Sequence, residues 1–190
     1  MKKEYSVMHF ETAEKWRQWL EDNHATEDGI WVTMYKKSSG IISPTRSEIL
    51  DEALCYGWID GQAKSIDDKS YVQKYTPRRK RSLWSKINIG HIERLTQENK
   101  MHPAGTKEVE SAKTDGRWNA AYNSPSTMTL PKVFLEMLSK NKKAEEFFNQ
   151  LNKTNKYAIG WRIETAKKEE TKLKRMEKII EMLEKGEKFH

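Results

Sequence analysis

The sequence contains little that would indicate a secreted, membrane-spanning or disulfide-linked protein. Its 190 residues include a single cysteine, Cys55, which excludes an intramolecular disulfide and a cysteine-rich metal framework. No apolar run approaches the roughly 20 residues that span a bilayer, and the amino terminus lacks the apolar core of a signal peptide. We therefore predict a cytoplasmic protein without a membrane span.

Motifs that mark common enzyme and metal sites are also lacking. The chain has no Walker A pattern, no Rossmann glycine fingerprint and no G-x-S-x-G elbow. Its five histidines show no metal-ligand spacing such as H-x-x-x-H. We predict a non-enzymatic protein with no metal and no cofactor, and we keep an enzyme of unknown reaction as the third alternative.

The residues that are present favour an α+β fold. Apolar residues make up 36% of the chain, and seven Trp, seven Tyr and five Phe supply large units of buried area. Residues 12–24 and 45–57 have helical spacing, whereas 29–37, 58–66 and 71–76 read as strands, the last two forming a hairpin. We predict a small antiparallel sheet with flanking helices over residues 1–100.

The pattern after residue 100 is helical only. Pro103 suits a first turn, Asn141 and Thr154 are candidate amino-terminal caps, and a helical stop is expected near Gly186. The last helix should bury one face that carries Leu173, Met176, Ile180 and Leu183. We predict an all-helical part over residues 101–190.

One segment carries the entire excess of positive charge. Residues 69–92 contain seven basic residues and no acid, whereas basic and acidic residues elsewhere balance at 28 each, so the net charge is +7. Pro77 should end the preceding strand, because it cannot donate to a ladder. The next four residues should lie on an exposed loop beside a helix amino terminus, whose unpaired N–H groups also attract anions.

We predict a basic recognition surface here, formed by Lys74, Arg78, Arg79, Lys80, Arg81, Trp84 and Lys86. The cations would supply affinity for nucleic acid or phosphate, and Trp84 would offer a stacking platform unless it packs in the core. Two other interpretations remain open: an acidic protein or peptide partner, and a solvated loop whose arginines pair with acids elsewhere. We expect the protein to be a monomer.

A second group of residues lies around the start of the hairpin, and a structural role is the simpler interpretation. Asp60 would cap a turn or pair with the basic loop, Gly61 would permit close backbone approach or a positive φ, and Trp58 would pack. Cys55 lies in an apolar helical segment and is also expected to pack. A reactive thiol would need a base, for which His91 and His102 are candidates.

Several long blocks carry a family resemblance. They are EALCYGWIDGQ (52–62), YTPRRKRSLWSKIN (75–88), KMHPAG (100–105), DGRW with AAYNSPST (115–127) and a block at 157–188. These blocks occur in the order of the bacteriocin-protection, YdeI/OmpD-associated family, which the chain resembles over nearly its whole length. The resemblance implies protection against bacteriocins or antimicrobial peptides. It also likens the amino-terminal part to the YjbR and CyaY group, and it implies no catalytic residues.

One departure from the family is a glycine inside the last block. Gly160 stands where the resemblance implies a larger residue, and a glycine loosens a helix.

Together these observations predict a non-enzymatic cytoplasmic binding protein of the bacteriocin-protection type with a basic anion-binding surface. The alternative is a nucleic-acid-binding regulatory protein. A cationic bacteriocin would be repelled by the basic segment, so we expect any protection to be indirect.

Overall fold

The computed structural model describes residues 4–190. Their fold is α+β, as predicted, and it divides into two compact units. The first unit comprises the described residues up to 83 together with 88–119, and the second comprises 84–87 with 120–190. Compactness does not show which parts fold alone, so the division at about residue 100 stays a prediction. No helix in the described part of the chain combines the length and apolar character of a bilayer crossing.

The first unit contains a four-stranded sheet. Its strands are β1 (Val7–Met8), β2 (Ile30–Tyr35), β3 (Trp58–Ser65) and β4 (Ser70–Pro77), in the order β1-β2-β4-β3. The hairpin of β3 and β4 and the pairing of β2 with β4 are antiparallel, but β1 adds a parallel edge to β2. The sheet is therefore mixed. The sequence did not indicate β1, because a strand of two residues is too short to show a pattern.

Four helices accompany this sheet. They are α1 (Ala13–Asn23), α2 (Arg46–Cys55), α3 (Lys86–Gln97), whose first two residues belong to the second unit, and α4 (Pro103–Thr114). Thr45 and Glu48 form the predicted capping box at the start of α2. Trp16 of α1 is fully buried, lies 5.7 Å from the Tyr75 ring and donates to the Ile49 carbonyl of α2. These large aromatics join both helices to the inner face of the sheet.

A close backbone contact joins the start of α4 to the end of α2. A Cβ built on Gly105 would lie 2.1 Å from the Cys55 carbonyl oxygen, so only glycine fits there. The His102 amide donates to the same carbonyl at 3.1 Å, and the His102 side chain caps α4 by accepting from Ala104. The KMHPAG block therefore encodes the contact between these two helices.

The second unit contains four further helices. They are α5 (Lys132–Ser139), α6 (Lys142–Gln150), α7 (Lys153–Glu164) and α8 (Glu169–Glu184), and α8 packs against the other three. The core consists mainly of aliphatic and aromatic side chains: Phe134, Leu138, Ala144, Phe148, Ile159, Ile163, Met176, Ile179 and Leu183. Asn141 caps α6 as predicted, but Asn152 rather than Thr154 caps α7, through a 2.9 Å bond to the Asn155 amide.

The predicted buried face of α8 is only partly correct. Met176 and Leu183 are buried, and Ile180 is half-buried, but Leu173 is 45% exposed and Ile179 takes a central place in the core. Leu173 instead lines a groove of about 400 Å³ in the second unit. The buried stripe thus begins one turn later than the sequence pattern indicates.

Gly160 in α7 lies against Met128. The residue is buried, and a Cβ there would lie 2.7 Å from Met128 Cγ. The glycine therefore makes room for Met128, and the loosening of this turn stays a prediction.

We expect Gly105→Ala to lower the free energy of unfolding by about 1 to 3 kcal/mol or more, because the new methyl would separate α4 from α2. Gly90 provides a matched control, since it is an exposed helical glycine whose added Cβ would meet no atom within 4 Å. Gly90→Ala should stabilise by up to about 1 kcal/mol. Urea unfolding measures both changes, and equal stability of wild type and Gly105→Ala would contradict the contact.

We expect Ile179→Ala to lower the free energy of unfolding by about 2 to 5 kcal/mol, because the side chain lies in the core of the second unit. Leu173→Ala, on the same helix but in an exposed position, should change it by less than about 0.5 kcal/mol. Thermal or urea unfolding followed by circular dichroism compares the two. Similar losses for both variants would show that α8 is not docked as described.

Candidate anion-binding surface

The basic segment begins with a tight turn that the protein backbone holds in place. The Arg78 amide donates to the Gly57 carbonyl at 2.9 Å, directly after Pro77 ends β4. The Ser82 amide then donates to the Arg79 carbonyl at 2.8 Å, and the Arg79 amide donates to the Ser82 hydroxyl at 2.9 Å. Residues 79–82 therefore form a hydrogen-bonded turn, which we call the basic turn.

Two buried arginines fix the carboxy-terminal side of the basic turn. Arg78 is 7% exposed and donates to the Leu83 carbonyl at 3.2 Å. Arg117, from the DGRW block, is held by Asp115 at 2.7 Å and donates to the Ser82 carbonyl at 3.3 Å. Buried guanidinium groups need such acceptors, because burying an unsatisfied charge is strongly unfavourable. The chain therefore uses these two cations to position the turn.

The other three cations of the run point into solvent. Arg79, Lys80 and Arg81 are exposed. Within residues 4–190, no acidic group lies within ion-pair distance of any of them, whereas many other lysines and arginines have one. In the part of the chain that the structure describes, these three side chains therefore do not pair with internal acids, and the solvated loop stays open as an interpretation.

The structure corrects two members of the predicted surface. Arg78 is buried rather than exposed, and Trp84 is only 1% exposed, so it cannot serve as a stacking platform. The core role left open for Trp84 is the observed one, and its carbonyl accepts from the Tyr122 amide at 3.0 Å. The Leu83 carbonyl is one acceptor for the buried Arg78, and a charge count does not reveal such a backbone partner.

The remaining predicted members lie on different elements. Lys86 is exposed at the first residue of α3, which belongs to the second unit. Lys74 lies on β4, with its ammonium 4.0 Å from the centre of the Tyr5 ring and 6.0 Å from that of Trp31. Joint action of the basic turn and the start of α3 stays a prediction.

The hairpin residues have structural roles, but Asp60 pairs with a different arginine from the predicted ones. Asp60 accepts a 2.6 Å hydrogen bond from Arg46 of α2, so its partner is not an arginine of the basic turn. Trp58 is 1% exposed and packs, as predicted, with its indole N–H donating to the His24 carbonyl. Gly61 has neither a positive φ nor a close neighbour, since a Cβ there would lie 3.7 Å from the nearest atom. That prediction for Gly61 is wrong.

Cys55 has the environment of a packing residue. Its side chain is fully buried, and burial raises the pKa of the thiol to about 11. The thiol is therefore protonated at neutral pH, whereas a nucleophile needs the thiolate. His91 instead pairs with Asp51 at 2.6 Å. Within residues 4–190, no three His, Cys, Asp or Glu side chains are grouped so that they could hold a metal ion.

A polar cluster that sequence analysis missed lies beside Cys55. The Tyr56 hydroxyl donates to Glu21 at 2.6 Å, which lowers the pKa of the Glu21 carboxyl, and burial raises the pKa of Tyr56. The Tyr56 ring stacks on His102 with centres 4.6 Å apart, and His24 lies edge-on to His102 at 4.9 Å. The sequence stretches that contain Tyr56 and His102, CYG and KMHP, could have drawn attention to these residues, but only the fold brings the two side chains together. The cluster joins α1, α2 and α4.

We expect Asp60→Asn to lower the free energy of unfolding by about 1 kcal/mol, because Arg46 is more than half exposed and solvent screens the pair. Arg46→Gln should lose a similar amount. The variant carrying both changes should lose no more than the worse single variant, because both remove the same interaction. Losses that simply add in urea unfolding would show that the pair contributes nothing.

Two family models match different parts of the chain. Residues 8–108 match the model of a domain of unknown function, DUF8412, and this match contains the sheet and the basic turn. Residues 127–186 match the model described as Bacteriocin-protection, YdeI or OmpD-Associated, which covers α5 to α8. No curated protein and no solved structure matches the chain.

The predicted family resemblance is thus confirmed for residues 127–186, whereas the likeness of the amino-terminal part to the YjbR and CyaY group is not confirmed. The chain belongs to the DUF8412 family through residues 8–108, and its residues 127–186 are similar to the bacteriocin-protection, YdeI or OmpD-associated family.

Proposed function

We propose that this chain is a non-enzymatic, cytoplasmic binding protein of the bacteriocin-protection type, and that its basic turn binds polyanions. The observation that carries the proposal is the exposure of Arg79, Lys80 and Arg81 without an acidic partner in the described chain. Three adjacent cations create a local positive potential that attracts phosphate or sulfate groups. The family match supports the link to bacteriocin protection.

The fixed backbone of the basic turn favours binding. Hydrogen bonds between Arg79 and Ser82, together with the buried Arg78 and Arg117, hold the turn before any ligand arrives. A preorganised loop loses less conformational entropy on binding than a mobile one. The turn therefore needs to order only its three exposed side chains.

The charge of the turn also bears on how protection would work. Bacteriocins that are cationic would be repelled by it, so the turn is unsuited to capturing such peptides directly. We propose that protection is indirect, through an anionic partner inside the cell. An acidic protein would satisfy the same charges, and the experiment below separates it from a nucleic acid.

We expect the protein to bind heparin and duplex DNA at low salt, with log affinity for DNA falling against log salt with a slope of about −2.7 if three phosphates are neutralised. Replacing Arg79, Lys80 and Arg81 together with Ala should remove most of this slope. Stability should change little, because the three side chains are exposed. Fluorescence anisotropy at several salt concentrations measures the slope.

The matched control replaces Lys140, Lys142 and Lys143, three exposed lysines of the second unit, with Ala. It removes the same net charge and should leave the slope unchanged. Binding of poly-glutamate but not of heparin, DNA or RNA would favour an acidic protein partner. Failure of the wild-type protein to bind any of these polyanions would contradict the proposal.

A further inference from the structure

The sheet has an outer face, opposite the face on which Trp16 of α1 packs against Tyr75. Along β2 the buried side chains of the inner face alternate with half-buried side chains on the outer face: Trp31, Thr33 and Tyr35. On β4 the outer positions are the buried Ser70 and the half-buried Val72, Lys74 and Thr76. On β3, Ile59 and the exposed Lys64 share the same face, because they pair with Thr76 and Val72.

The charge of this outer face has one sign. Its positions on β2, β3 and β4 include two lysines and no aspartate or glutamate. The Lys64 ammonium lies 4.5 Å from the centre of the Trp31 ring, and Lys74 lies between the rings of Trp31 and Tyr5. Two cations therefore lie near a half-buried indole.

Aromatic rings extend along the same side of β2. Trp31 and Tyr35 are four residues apart on β2, and a rise of about 3.3 Å per residue separates such positions by roughly 13 Å. His9 packs edge-on against Tyr35 at 5.2 Å. Aromatic faces spaced along a strand and flanked by lysines are suited to flat, anionic ligands.

The outer face continues toward the basic turn along one strand. Lys74 lies on β4, and β4 leads through Pro77 directly into the turn. Both surfaces belong to the first unit. A flexible anionic chain can therefore contact the sheet lysines and the cations of the turn together.

We propose that the outer face of the sheet binds single-stranded nucleic acid, with bases stacking on Trp31 and Tyr35 and phosphates contacting Lys64 and Lys74. The inference rests on the proposed binding of polyanions and names their class. Unpaired bases present the π-faces that aromatic side chains bind, whereas a duplex hides them in its own stack. A phosphate would draw the Lys64 ammonium away from Trp31 and free the ring for a base.

An acidic peptide fits this surface less well. Its carboxylates would meet the lysines, but they gain nothing from the negatively charged faces of the aromatic rings. The combination of stacking platforms with cations therefore distinguishes a nucleic acid from an acidic protein.

The test compares a 15-nucleotide oligo(dT), the matching oligo(U), the same oligo(dT) in a duplex, and heparin. Replacing Trp31 and Tyr35 together with Leu should weaken oligo(dT) binding by about 30-fold or more, because each stacked base contributes a factor of about 5 to 150. Binding of heparin should stay within about twofold. Trp161→Leu, which removes a half-buried indole of the second unit, should leave oligo(dT) binding unchanged.

Three further variants keep the test decisive if the double replacement does not fold. Trp31→Tyr retains an aromatic face and should bind oligo(dT) within about fivefold of wild type. Lys64→Glu changes an exposed side chain and should weaken oligo(dT) binding at least tenfold at low salt. Tryptophan quenching by oligo(dT) should disappear in Trp31→Leu.

The outcomes separate this inference from the proposed function. If the Arg79, Lys80 and Arg81 replacement abolishes heparin binding while Trp31 and Tyr35 prove irrelevant to oligo(dT), polyanion binding stands and the sheet surface is wrong. Duplex binding as tight as single-strand binding would also overturn it. A preference for oligo(U) over oligo(dT) would support the inference and identify RNA as the ligand.

Discussion

Close packing of the backbone at the end of α2 constrains the region from which the basic turn begins. A Cβ on Gly105 of α4 would lie 2.1 Å from the Cys55 carbonyl oxygen, and one on Gly57 would lie 3.2 Å from the Ala104 carbonyl oxygen. Gly57 also has a φ of +75°, which a side chain would strain. The Gly57 carbonyl receives the Arg78 amide at the end of β4, so α2, α4 and the start of the basic turn meet through backbone contacts beside two glycines.

The basic segment illustrates how environment divides residues of identical charge. Arg78 and Arg117 are buried and hold backbone carbonyls, whereas Arg79, Lys80 and Arg81 remain in solvent. Arginine suits the buried role, because its guanidinium presents several donors in a fixed geometry. The run from Arg78 to Arg81 thus contains one buried arginine that supports the backbone of the turn and three exposed cations that form its surface.

The two family matches cover different parts of the chain. The basic turn and the outer face of the sheet lie within residues 8–108, whereas the bacteriocin-protection match covers residues 127–186. The proposed polyanion binding therefore rests on the DUF8412 part, and the proposed link to bacteriocin protection rests on residues 127–186.

The sequence by itself determined the α+β class, the helix starts at Thr45 and Asn141, and the end of β4 at Pro77, because each depends on neighbours within about four residues. It also located the charge excess. Only the tertiary structure decided that Arg78 and Trp84 are buried, that Asp60 pairs with Arg46, and that Tyr56 meets Glu21 and His102. These outcomes depend on groups far apart in the chain, and periodicity and composition carry no information about which distant groups folding brings together.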